Sequence, residues 1–145
     1  MGRVRPDLGF RVRPEGCSLS LCDTCWMASV LIVDDHMGFR ARARALLEAL
    51  GHHVVGEAAD GAAAISAVGR LRPEVVLLDV QLPDLDGFEV ARRVAEEPEA
   101  PAVVLVSSRE LVEFGRRVAD SGVRGFISKV DLSGVTLQAV LSGGL

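Results

Sequence analysis

Apolar runs in this chain repeatedly end on groups able to do chemistry. "LIVDD" closes on Asp34 and Asp35, "VVLLD" on Asp79, "VVLVSS" on Ser107 and "GFISK" on Lys129. A carboxylate gains nothing from the burial that an apolar run predicts, so each acid needs a reason to be there. Three carboxylates brought together repel and raise one another's pKa unless a cation joins them. A hard divalent ion with oxygen ligands answers that need, most simply Mg²⁺. It keeps several waters and takes two or three carboxylates, with the main-chain oxygen of Gln81 as a further ligand. Such an ion neutralises charge on a transferring phosphoryl group, whose remaining oxygens suit the ammonium of Lys129 and the hydroxyl of Ser107. Asp79 is then a nucleophile able to accept the phosphoryl group as an acyl phosphate.

These groups meet only if the runs that carry them are strands of one sheet. Short β-branched runs at Ser29–Val33, Val54–Ala58, Val75–Leu78, Ala102–Val106 and Gly125–Ser128 alternate with stretches of helical spacing. The first helix, about Met37 to Leu50, sets Phe39, Ala43, Leu46, Leu47 and Leu50 on one face before Gly51. The second starts at an N-cap, Asp60, and presents Ile65, Val68 and Leu71 before Pro73. The third runs from about Gly87 to Glu96, before Pro98, and the fourth holds Leu111, Phe114 and Val118 before Gly122. A fifth, weakened by Gly134, holds Leu132, Val135 and Ala139 or Val140. Continuously apolar strands are covered on both faces, and helical crossovers make them parallel. The expected fold is α/β, a doubly wound (βα)5 parallel sheet of five strands with flavodoxin-like topology. Its functional crevice lies beyond the carboxyl ends of the strands, where strand order reverses.

In that arrangement Asp34-Asp35, Asp79, Ser107 and Lys129, the loop "DVQLPDLDG" and the opening "VDDH" resemble the receiver domain of two-component response regulators, in its NarL/FixJ-like branch. The resemblance covers Met27 to about Gly143. It implies that Asp79 receives a phosphoryl group from a sensor histidine kinase or phosphotransfer protein. It further implies that Asp35 binds Mg²⁺ directly, Asp34 directly or through water, and that Gln81 completes the protein ligands with its main-chain oxygen. Lys129 would pair with Asp79 and its phosphoryl group, Ser107 would swing toward it, and Phe126 would follow as the aromatic switch residue. Phosphorylation adds nearly two charges and strong acceptors, so this movement reshapes the helix between Ser107 and Phe126 for an output partner. Receivers also commonly form homodimers when phosphorylated. The protein is expected to act as a switch, with at most self-catalysed phosphotransfer and dephosphorylation. Val130 departs from the family pattern, standing where many receivers have proline.

Each group also has a plainer reading: Asp34-Asp35 as a helix cap, Lys129 as a solvated side chain, Ser107 as a turn residue and Phe126 as core. His36 is expected to pack at the helix start, imidazole being a poor partner for Mg²⁺. Arg40, Arg42 and Arg44 are expected to be solvated. An aspartyl phosphatase would need a second aspartate where "DVQ" has Gln81, and a nucleotide site would need a phosphate loop where "VDDHMG" puts acids. Two other readings stay open: a receiver-like scaffold that is never phosphorylated, and the input half of a DNA-binding transcription factor.

The 145 residues, with a net charge of −4, suit one domain and argue against direct nucleic-acid binding through a basic surface. No apolar run reaches membrane-helix length and none forms a signal-peptide core, so the expected location is cytoplasmic. Residues 1–26 show no sustained period and read as an extension, irregular or foreign to a natural start at Met27; residues 27–145 read as the receiver domain. Cys17, Cys22 and Cys25 all lie in that extension and are read as reduced thiols, one ligand short of a structural zinc site.

Overall fold

The computed structural model describes residues 28–108 and 122–141. The fourth expected helix, the extension 1–26 and its cysteines lie outside the described residues. Within them run β1 (Ser29–Val33), α1 (Met37–Ala49), β2 (His53–Ala58), α2 (Gly61–Leu71), β3 (Val75–Asp79), α3 (Gly87–Val94), β4 (Ala102–Ser107), β5 (Gly125–Ser128), a 3-10 turn (Lys129–Asp131) and α4 (Gly134–Leu141). The strands form one sheet in the order β2-β1-β3-β4-β5. Every pairing is parallel. This is the expected doubly wound, flavodoxin-like order.

Strand side chains alternate between the two faces of the sheet, which explains why whole runs are apolar. Val30, Ile32, Val75, Leu77, Val104, Val106 and Ile127 share one buried layer with Ala43 and Leu47 of α1 and Leu137, Val140 and Leu141 of α4. Leu31, Val33, Val76, Leu78, Val103 and Leu105 share the other with Ala64, Ala67 and Val68 of α2 and Val90, Ala91 and Val94 of α3. Phe39, Leu46 and Leu50 flank the first layer, completing the apolar face expected of α1.

The elements differ from expectation mainly at their ends. β3 and β4 each run one residue further, to Asp79 and Ser107, because the backbone ladder continues regardless of side chain: Asp79 pairs with Val106 and Ser107 with Ser128. Asp60 caps α2, accepting from Ala63 N–H at 2.8 Å. Gly51 ends α1 at φ 95°, the left-handed region that favours glycine. α3 stops at Val94 instead of Glu96. The N–H groups of Glu96 and Glu97 turn to carbonyls only three residues back, a tightened last turn. In the last helix, Leu132 lies before the first turn, and Ser133 and Thr136 exchange backbone-to-hydroxyl bonds of 3.0 and 3.2 Å. That reciprocal cap starts the helix at Gly134.

Candidate functional site

Strand order reverses between β1 and β3, and the crevice opens there, at the carboxyl ends. Asp34 follows β1, its N–H bonded to the Ala58 carbonyl of β2 at 3.0 Å. Its side chain is fully buried, and that of Asp79 nearly so. Counting in twos, Asp34 continues the row Val30, Ile32; Asp79 continues Val75, Leu77; Lys129 follows Ile127. All three rows face the α1–α4 layer, so the three groups converge at its rim. Lys129 Nζ lies 2.6 Å from Asp34 Oδ2 and 3.4 Å from Asp79 Oδ2. The ammonium also sits 4.5 Å from the centroid of the Phe39 ring, in cation–π range. The lysine is 16% exposed, far from the solvated side chain it would be in isolation.

Asp79 Oδ1 accepts from Gln81 N–H at 3.1 Å. Burial, and then the charge of Asp34, push the Asp79 carboxyl up to about 6, against the opposing influence of the Gln81 N–H and of Lys129. Asp34, Asp35, His36 and Asp79 each present a ligand atom within 4.8 Å of the others. The oxygen donors of that set fit a hard divalent ion such as Mg²⁺, which would relieve the repulsion that raises Asp79. Asp34, Asp35 and Asp79 are the side chains that would hold it.

Ser107 is buried at the end of β4 beside Ser128 of β5. Phe126 is partly buried and packs on the α2–α3 layer. Both occupy rows of the face opposite Asp79. The Lys129–Val130 bond is trans, as are all those of the described residues, so the missing proline does not take the lysine away from the crevice.

The plainer readings of His36 and of the three arginines change. His36 is the N-cap of α1 but makes no side-chain cap bond, and it does not pack, being 72% exposed. Its ring turns to the acids instead, with Nδ1 3.2 Å from Asp34 Oδ1 and 3.1 Å from Asp35 Oδ1. Arg40 is only 17% exposed: it pairs with Glu57 of β2 at 2.9 Å and donates to the Asp34 carbonyl at 2.7 Å. Arg44 pairs with the same Glu57 at 2.9 Å, and Arg42 donates to the Leu132 carbonyl at 3.0 Å. None of the three is simply solvated. Arg40 anchors the acidic turn to β2, a role invisible until β1 and β2 are paired.

The loop after Asp79 is fixed by its remaining acids. Asp84 accepts from the N–H groups of Gly61 and Ala62 at 2.7 and 3.0 Å, capping α2 from outside the helix. Those bonds hold its carboxyl below the usual carboxylate range. Asp86 caps α3 through Phe88 N–H at 2.7 Å. Gly87 then folds back, its N–H donating to the Val80 carbonyl at 2.7 Å. A Cβ at Gly87 would run into the Asp79 main-chain oxygen, with Val80 Cα at 2.6 Å. The glycine lets the loop close against the strand end.

Five parallel strands with a cluster of carboxylates and one lysine at their carboxyl rim define a flavodoxin-like domain with an acidic crevice. The response regulator receiver domain family matches residues 30–139. The chain belongs to that family. It is 37% identical over 120 residues to a Pseudomonas aeruginosa protein, covering 81% of this chain and 58% of that one. It is 30% identical over 101 residues to the DNA-binding transcriptional activator EvgA of Escherichia coli K12, covering 70% of this chain and 50% of EvgA. The chain therefore spans little more than half the length of these curated relatives. A LuxR-family two-component response regulator from Aurantimonas sp. SI85-9A1 superposes with a TM-score of 0.74 at 27% identity, covering 81% of this chain and 86% of that chain.

Proposed function

We propose that this receiver accepts a phosphoryl group on Asp79 from a sensor histidine kinase or phosphotransfer protein and signals through the resulting change of surface. The observation that carries the reading is the Lys129 ammonium set between the buried carboxylates of Asp34 and Asp79. A cationic group and a buried carboxylate at the ends of strands in one sheet suit an incoming phosphoryl group. In the transfer, an Asp79 carboxylate oxygen bonds to phosphorus as the bond from phosphorus to the donor nitrogen breaks. Asp34, Asp35, Asp79 and the Gln81 main-chain oxygen would hold Mg²⁺, which supplies charge neutralisation for the transferring group. Lys129 and Ser107 hold phosphoryl oxygens, and Phe126 follows Ser107 as the switch.

Met37 and Val130, adjoining the site in sequence, are exposed at 71% and 76%, which supports docking of a protein donor there. The likeness to EvgA supports transcription as the output; dimerisation as the means and a cytoplasmic location belong to the same proposal. Among the described residues no helix is long and apolar enough to cross a membrane.

Intact mass after incubation with acetyl phosphate tests the reading. The wild type is expected to gain one phosphoryl group when Mg²⁺ is present and none in EDTA, and Asp79→Ala none in either. A folded wild type that gains nothing would leave only the scaffold reading.

A further inference from the structure

Lys129 is the only lysine in a sequence whose lysines and arginines number 16. Its ammonium is a compact charge on a flexible four-carbon stem, without the planar fork that orients a guanidinium. What surrounds it must therefore place it. The two carboxylates attract it unequally: Asp34 Oδ2 stands at 2.6 Å and Asp79 Oδ2 at 3.4 Å, so charge alone draws the ammonium toward Asp34 and away from the acceptor. The third neighbour is uncharged. The ring of Phe39, partly buried against the α1–α4 layer, has its centroid 4.5 Å from Nζ.

A second contact fixes that ring relative to the lysine. Arg42 donates to the Leu132 carbonyl at 3.0 Å, and Leu132 closes the 3-10 turn that begins at Lys129, its N–H bonded to the Lys129 carbonyl at 3.3 Å. Phe39 and Arg42 stand three apart in α1, a spacing that puts both on one side of the helix. One turn of α1 thus grips both ends of the turn that carries the lysine. We propose that Phe39 is a positioning residue for phosphoryl uptake, its ring face holding the Lys129 ammonium beside Asp79. A cation that engages Asp34 takes away the nearer partner of the lysine, whereas the attraction of the ring is untouched. The proposal rests on the reading of Asp79 as the acceptor and adds the group that keeps the lysine within its reach.

Two measurements test it. With isotope-labelled lysine, Lys129 gives a single ε-methylene signal in the NMR spectrum of the full chain. In the metal-free wild type that signal is expected upfield of free lysine, shielded by the ring face, and it should return toward the free position in Phe39→Leu. Phenylalanines carrying one, two and three fluorines at position 39 keep the shape of the ring while draining charge from its face. Acetyl phosphate uptake in saturating Mg²⁺ should slow stepwise along that series, ending about threefold to thirtyfold below the wild type, with the fold retained by circular dichroism. A wild-type signal at the free-lysine position, or uptake that stays level or rises along the series, would overturn the proposal while leaving Asp79 as the acceptor. No uptake by the folded wild type would overturn both readings.

Discussion

Burial and the neighbouring Asp34 push the Asp79 carboxyl up to about 6 from an ordinary 3.8, so the metal-free fold makes this group easier to protonate than an ordinary carboxyl. A carboxyl raised on folding adds stability below its unfolded pKa and loses it as pH rises through the folded one. The window here is about pH 4 to 6. Asp79→Asn keeps the shape, leaves Lys129 its closer partner Asp34, and removes the charge. In EDTA at pH 7 it is expected to raise stability by about 1–3 kcal/mol, with little change at pH 4. Urea midpoints at the two pH values check this, and a lower midpoint for the variant at pH 7 would mean that the charge supports the fold. The convergence of Asp34, Asp79 and Lys129 was legible in the sequence because each continues an apolar row counted in twos. The roles of His36 and Arg40 were not. His36 looked like helix-start packing until its exposure was known, and Arg40 meets Glu57 only through the register that sets Val33 beside Ala58.

The element that holds the chemistry in place is the loop from Asp79 to Gly87. Its glycine abuts main-chain atoms of Asp79 and Val80, which cannot yield as a flexible side chain would. Gly87→Ala is expected to cost stability at the upper end of the about 1–3 kcal/mol typical of overpacking, and to slow phosphoryl uptake because the obstacle is the backbone of the acceptor itself. Chemical denaturation and acetyl phosphate uptake check the two halves, and an unchanged uptake rate would show the strand end to be insulated from its loop. By contrast, Asp60→Ala removes a helix cap bonded to Ala63 N–H and not to the reacting groups, and should cost about 1 kcal/mol with uptake unchanged. Strands and helices were readable from periodicity, and the Asp60 cap from its position. The tie from Asp84 to α2 was not, because it joins residues of different elements, and the start of α4 was missed because Ser133 and Thr136 cap one another only once the 3-10 turn has brought them round.

On the scale of the molecule, the rim opposite the crevice is tied by polar groups. The buried imidazole of His52 accepts at Nδ1 from Ala28 N–H at 3.0 Å, and Glu74 accepts from Ser29 N–H at 2.9 Å. Burial lowers the His52 pKa below its ordinary 6.5. A histidine depressed on folding contributes stability above its unfolded pKa that is lost as pH falls, the opposite sign to Asp79. His52→Asn preserves an acceptor for Ala28 and is expected to flatten the loss of stability below about pH 6.5, seen as a smaller drop in Tm between pH 7 and pH 5. An equal drop in both proteins would assign that loss to other groups. The sheet between the two rims keeps its two apolar layers apart: α1 and α4 pack on one, α2 and α3 on the other. The described residues of the two layers form separate clusters on opposite faces of the sheet, so substitutions on opposite sides are expected to combine nearly additively. For descent with modification this wall has a particular consequence. The outer surfaces of the two sides can diverge under separate selection, each toward its own partner, while the row ends that hold the carboxylates and the lysine stay unchanged between them.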